Sequence, residues 1–235
     1  MNSTMGTTSP APVKPMARNS SAIPPLENGA HLNASEFMRR YEAMPEVKKA
    51  ELIQGIVYMA SPVRAIVHGK PDSMMHWWMG IYAEATPGIE TYSNSTVRFG
   101  ADDVPQPDGM MCLLPSRGGK SRIDVKGYIT GAPELVVEIA ASSASLDMQE
   151  KLETYRRFGV PEYLLWLTEI NEFLWLHLEN DEYKPLPVAA GGIIRSRVFP
   201  GLWLDVKAML AGDRSGARTA LKRGLKSKEH AKFVK

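Results

Sequence analysis

The sequence predicts an α/β domain with α+β character, a mixed central sheet flanked by helices, and three observations carry that prediction. An apolar run, "ELVVEIA" at 134–140, leads into a helical pattern, "LDMQEKLETYRRFGV" at 146–160. Two further runs rich in aromatic and branched residues, "EYLLWL" and "EFLWLHL", then read as strands. An amphipathic helix and a hairpin precede them, and strands interspersed with helices in this order pack as a mixed sheet with helices on its faces.

Taken in order, "NASEFMRRYEAMP" offers cap residues at Asn33 and Ser35 and places Phe37, Met38, Tyr41 and Met44 at helical spacing, ending near Pro45. "AELIQGIVYMAS" reads as two extended runs around a Gln54-Gly55 turn, with Glu51 at its entrance. Residues 64–86 look helical, with Met74, Met75, Trp78, Ile81 and Tyr82 on an apolar face; Pro71 must start or kink the main helix just after His68. "IETYSNSTVRFG" alternates like an exposed strand, and "PDGMMCLL" reads as a buried one. The segment 115–133, rich in glycine, lysine and arginine, reads as a long loop. Asp147 and Glu150 cap the helix that follows "ELVVEIA", and Gly159 stops it.

At 235 residues and 44% apolar composition the chain can bury one core, read as a domain over 33–211. Residues 1–32, rich in Ser, Thr, Pro, Asn and Ala, read as a disordered leader without the apolar run of a secretory signal. Residues 212–235 carry eight Lys/Arg against two acids, a charge of +6 opposed by −4 in the remainder, and read as a basic, disordered tail. Such a tail suits contact with a nucleic-acid backbone or simple solubilisation. A single cysteine, Cys112, excludes an intramolecular disulfide framework and sets a cytoplasmic expectation, and no apolar stretch is long enough to span a bilayer.

The chemistry centres on Glu138, a carboxylate inside an apolar strand, where an ionised group costs several kcal/mol unless paired. Asp108 heads another apolar strand. If the two strands are neighbours, the carboxylates converge and repel unless a cation lies between them, and hard oxygen donors suit Mg²⁺ or Mn²⁺. Lys151, thirteen residues after Glu138, sits in the first helical turn, where the dipole disfavours it by ~0.3–1 kcal/mol; its side chain leans back toward the strand end. The bland alternatives are a solvated Asp108, Glu138 paired with Arg117 or Arg122, Lys151 paired with Asp147, a solvent-facing Glu51 and a structural His68. Trp77, Trp78, Trp166, Trp175 and Cys112 read as core rather than as a base-stacking platform.

The ordered set Glu51, Pro107-Asp108, "VVEIA" around Glu138, "DMQEK" ending at Lys151, and "YRRFGVPEYLLWL" resembles the Uma-two family, a branch of the PD-(D/E)XK nuclease superfamily, over roughly residues 34–210. The resemblance implies a restriction-endonuclease-like fold and a divalent-metal-dependent DNA endonuclease. It implies that Asp108, Glu138 and the Ile139 main-chain carbonyl hold Mg²⁺ (or Mn²⁺). Lys151 would orient water or offset charge, and Glu51 would hold a second ion or assist. His68, apart from the resemblance, is a further candidate to assist at the site or contact a phosphate. The superfamily lysine two positions after Glu138 is here Ala140, and the resemblance implies that Lys151 stands in for it. A homodimer is implied as well, because cutting both strands takes two sites; the exposed part of the Met/Trp helix is its candidate contact surface. A catalytically inactive scaffold that binds DNA or a protein partner, and a nuclease for RNA or branched DNA, are the competing readings.

Overall fold

The structure, a computed structural model, describes residues 23–141 and 146–235. Helix α1 (Ala34–Glu42) begins at Asn33, whose side chain accepts the Glu36 amide hydrogen at 2.9 Å. Strands β1 (Ala50–Ile53) and β2 (Ile56–Met59) form the expected hairpin. Its turn residues Gln54 and Gly55 have φ of 51° and 80°, the left-handed pair that a two-residue turn of matching twist requires.

A π-helical turn, Ala65–Gly69, then feeds α2 (Lys70–Glu84). Gly69 N–H bonds back to the Arg64 carbonyl at 3.2 Å. Pro71, which has no N–H to give, sits in the first turn of α2, where that loss is harmless. The chain continues through β3 (Ile89–Ser93), β4 (Val97–Arg98), β5 (Gly109–Leu113), β6 (Arg122–Ile123), β7 (Ile129–Thr130) and β8 (Leu135–Ala140). Helix α3 (Leu146–Arg157) leads to β9 (Glu162–Leu167), β10 (Glu172–Glu179) and β11 (Glu182–Pro185). Short strands β12 (Val188–Ala189), β13 (Ile193–Arg195) and β14 (Trp203–Asp205) precede α4 (Val206–Leu210), α5 (Arg214–Leu225) and α6 (Lys228–Phe233).

The principal sheet has six strands in the order β11-β10-β9-β8-β5-β3. Only β8 and β9 run parallel, joined by α3 as the crossover; the other neighbours are antiparallel. The period of two along β8 divides the molecule. Leu135, Val137 and Ile139 enter the large core with α2, while Val136 and Ala140 join a second cluster containing Tyr155 of α3. Glu138 shares the parity of Val136 and Ala140, so it stands on the face covered by α3. In the large core Trp78 and Trp175 meet edge to face, ring centroids 5.8 Å apart; Cys112 is buried as a small hydrophobe in a separate cluster with Val97, Met110 and Ile129.

Several expectations need correction. The basic tail is folded: α5 buries Ala217, Ala220, Leu221 and Gly224, and only its opposite side is charged. Small buried residues give a weak apolar signal, which the cations of the same segment mask. Within the leader, Leu26 is buried and Gly29 and Leu32 donate main-chain hydrogen bonds to Val57 and Gly55 at 2.7 and 2.8 Å, so order begins before residue 33; residues 1–22 lie outside the described residues. The Met/Trp helix α2 is enclosed between the sheet and α5 and offers no broad exposed face for a dimer contact. Helix α3 starts at Leu146, which puts Lys151 in the second turn, clear of the terminal dipole; capping by Asp147 and its pairing with Lys151 lie outside the described residues. The 115–133 segment is tied down, with Glu134 accepting amide hydrogens from Leu113 and Lys120 at 2.7 and 3.2 Å.

Candidate active site

Strands β5 and β8 pair antiparallel with Gly109 opposite Val137, so Asp108 leaves the ladder beside Glu138 and Ile139. Asp108 Oδ2 accepts the Ile139 amide hydrogen at 2.9 Å, taking the place of a strand partner where β5 has ended. In an extended strand the amide and carbonyl of one residue project to the same side, so the Ile139 carbonyl points to the Asp108 side of β8.

Glu138 is buried under α3, where Lys151 and Tyr155, four residues apart, share one helical face. Tyr155 donates its hydroxyl hydrogen to Glu138 Oε1 at 2.8 Å. Lys151 Nζ bridges Glu138 Oε1 at 3.2 Å and Glu51 Oε2 at 2.8 Å. Glu51, on β1, also accepts the Gln106 amide hydrogen at 2.7 Å, which fixes its carboxylate toward the same point.

Two basic side chains reach Asp108 from the cleft: Lys49 Nζ at 2.7 Å from Oδ1 and His68 Nε2 at 3.3 Å from Oδ2. His68 comes from the π-helical turn, a feature that often marks functional positions. Behind it His76 of α2 hydrogen-bonds the Asp108 carbonyl at 3.1 Å and contacts Asp72 at 3.2 Å. A Cβ at Gly109 would lie 2.8 Å from Met79 Cε and 3.3 Å from His76 Cε1, so the glycine of "PDG" admits α2 to this backbone.

Lys49, Glu51, His68, Asp108, Glu138, Ile139 and Lys151 all border one open cleft of about 610 Å³. The structure therefore brings every candidate site residue together. It also adds Lys49, which before an apolar strand reads as an ordinary solvated flank, and Tyr155, whose only sequence signal is its spacing of four from Lys151. Arg117 and Arg122 instead donate to main-chain carbonyls of Phe233, Gly119 and Ser121, which removes them as partners for Glu138.

The two central carboxylates are set to different tasks. Glu138 is raised to about 7, first by burial and further by Asp108 and Glu51, against the opposing pull of Lys151. Burial also works against ionised Asp108, but the His68 hydrogen bond and the Lys49 charge outweigh it and hold this carboxyl well below the usual range. His68 is raised by its bond to Asp108 despite partial burial. The site thus favours the ionised form of Asp108 and the protonated form of Glu138.

Among the described residues no three His, Cys, Asp or Glu side chains are arranged to hold a metal ion. The donor chemistry is nonetheless that of a small hard cation, which binds through one or two carboxylates and retains several waters. Asp108, Glu138 and the Ile139 carbonyl supply that set, and the buried Glu138 gains from a cation beside it. The residues fit Mg²⁺ or Mn²⁺.

The mixed sheet with its parallel β8–β9 crossover, flanked by helices, is a restriction-endonuclease-like fold. Residues 34–207 match the Uma2 family, described as "Putative restriction endonuclease", and the chain belongs to that family. A solved structure described as a "putative nuclease belonging to DUF820" from Anabaena variabilis superposes with a TM-score of 0.59 at 14% identity, covering 74% of this chain and 97% of that one. No curated protein matches.

Proposed function

We propose that this protein is a divalent-metal-dependent endonuclease that hydrolyses phosphodiester bonds in DNA. The observation that carries this reading is the convergence of Asp108, Glu138 and the Ile139 main chain at the floor of one cleft, flanked by Lys49, Lys151 and His68. Asp108, Glu138 and the Ile139 carbonyl would hold Mg²⁺ or Mn²⁺, with Glu51 as a further oxygen donor. When bound, the ion supplies Lewis acidity toward a phosphate oxygen.

The chain's own residues do the rest. Asp108 remains ionised, held against the Ile139 amide, and so fixes the position of one ligand. Lys151 bridges Glu51 and Glu138 and offsets part of the repulsion between the two buried carboxyl groups. Lys49 and His68 present positive charge on the open side, where a phosphate would enter and where charge develops on its oxygens. Position 140 is alanine, and Lys151, arriving from α3, takes the electrostatic place of a strand lysine. The family to which the chain belongs supports nuclease activity; the DNA substrate and the metal requirement are this proposal.

The test is cleavage of supercoiled plasmid and of single-stranded DNA with Mg²⁺, Mn²⁺ or EDTA, comparing wild type with Asp108→Ala, Glu138→Ala and Lys151→Ala. Metal-dependent cuts that vanish in both carboxylate variants are expected. DNA affinity unchanged in those variants, with no cleavage and no metal dependence in wild type, would replace the proposal by a binding scaffold. Cleavage confined to RNA or branched junctions would replace its substrate.

A further inference from the structure

We propose that the exposed face of α5, extended by Lys70 toward the cleft, is a binding surface for the phosphodiester backbone of the nucleic acid. The proposal rests on the nuclease reading but concerns a part of the chain beyond the family match, which ends at residue 207.

Arg214, Arg218, Lys222 and Lys226 recur at intervals of four, so they form one stripe along the helix, each step rising about 6 Å and the whole about 18 Å. All are exposed, as are the other four Lys and Arg residues of 212–235. None of the eight takes part in an ion pair among the described residues, although fifteen such pairs occur elsewhere. Asp213, one of the two acids in this segment, accepts amide hydrogens from Ser215 and Gly216 as the cap of α5. Asp213 and Glu229 together offset two of the eight charges, so the segment keeps a net charge of +6.

Aromatic rings hold part of it in place. The guanidinium groups of Arg214 and Arg218 lie 5.6 and 5.4 Å from the Trp77 ring centroid, and that of Arg223 lies 6.0 Å from Trp203. Lys70 and Arg214 border a second, smaller cavity together with Val67, and Val67 also borders the candidate active cleft. The stripe thus begins beside the cleft and leads away from it.

A row of fixed, unpaired cations starting at a hydrolytic cleft fits a continuous polyanion. A lipid surface fits less well, because a helix that lies on a membrane needs an apolar face for the bilayer, and the apolar residues of α5 are spent on the core. No large hydrophobic side chain of 212–235 is exposed.

The experiment is equilibrium binding of fluorescent duplex DNA to the full chain in EDTA over a range of salt, comparing wild type with the triple variants Arg218→Glu/Lys222→Glu/Lys226→Glu and Arg218→Gln/Lys222→Gln/Lys226→Gln. Circular dichroism and Mn²⁺ affinity report on the fold and the cleft. The glutamine variant is expected to lose at least tenfold in affinity at low salt and to show a shallower salt slope, by about 0.9 per lost contact; the glutamate variant should lose more, and both should keep wild-type helicity and Mn²⁺ affinity. Wild-type DNA affinity and slope in both variants would overturn the proposal while leaving the nuclease reading intact. A defect confined to anionic phosphatidylserine vesicles would overturn it in favour of a lipid surface. Absence of DNA binding by wild type itself would overturn both readings.

Discussion

Lys49 Nζ lies 2.7 Å from Asp108 Oδ1, and the lysine side chain is the more exposed partner, 24% against 3%. A cation of the protein's own thus sits on a candidate metal ligand. Lys49→Met removes a like charge from the ion's position, so Mn²⁺ affinity should rise, by about tenfold or ~1.4 kcal/mol, while DNA cleavage falls. Calorimetric titration with Mn²⁺ measures the first effect; weaker binding in the variant would mean that Lys49 is not a competitor for Asp108.

Lys151 stands between two buried carboxylates. Lys151→Met leaves Glu51 and Glu138 facing one another and should destabilise the protein by about 3–5 kcal/mol in EDTA. Saturating Mn²⁺ should restore much of the loss in melting temperature, more than it raises that of wild type. An equal shift in both proteins would argue that the ion binds away from this pair.

The pH dependence has a defined sign. Glu138 in the fold is raised from 4.5 to about 7, first by burial, so the protonated form is the one the fold favours. Its stabilising contribution is present below about pH 4.5 and disappears as pH rises through about 7. In EDTA the Glu138→Gln variant should lose less stability than wild type between pH 5 and 8, by on the order of 1–3 kcal/mol, as read by urea unfolding. Parallel stability curves would contradict the assignment.

Glu162, in the "GVPEYLLW" stretch that also carries the resemblance, belongs to the scaffold. Its carboxylate accepts hydrogen bonds from Trp175 Nε1, Ser196 Oγ and the amides of Arg197 and Val198, at 2.7–3.2 Å, and pins the turn before β14. Glu162→Ala strands these donors and should cost about 2–4 kcal/mol, leaving Mn²⁺ affinity in the folded fraction unchanged. A changed metal affinity would show that the turn and the cleft are linked.

Much of this was legible in the sequence, for identifiable reasons. Gln54-Gly55 announces a two-residue turn, Pro71 a helix start or kink, and the apolar runs beside Asp108 and Glu138 two strands, whose adjacency only the folded sheet supplies. What escaped was long-range or chemically quiet. Lys49 acquires meaning only when β1 is folded beside Asp108, and His76 only when Gly109 lets α2 approach. α5 hides its helical period because three of its four buried positions are Ala217, Ala220 and Gly224, which barely register beside its four cations.

The packing of that helix has a consequence for how the protein meets proteases. Ala217 and Leu221 share the core that contains Trp78 and Trp175, and His230 of α6 bonds Thr86 at 2.9 Å. A stretch with eight lysines and arginines would be trimmed quickly by trypsin as a loose end; here each scissile bond lies in or beside a docked helix. Digestion near Arg214 would have to open the interior first, so survival of the intact C-terminus under trypsin becomes a gauge of whether the whole domain is folded.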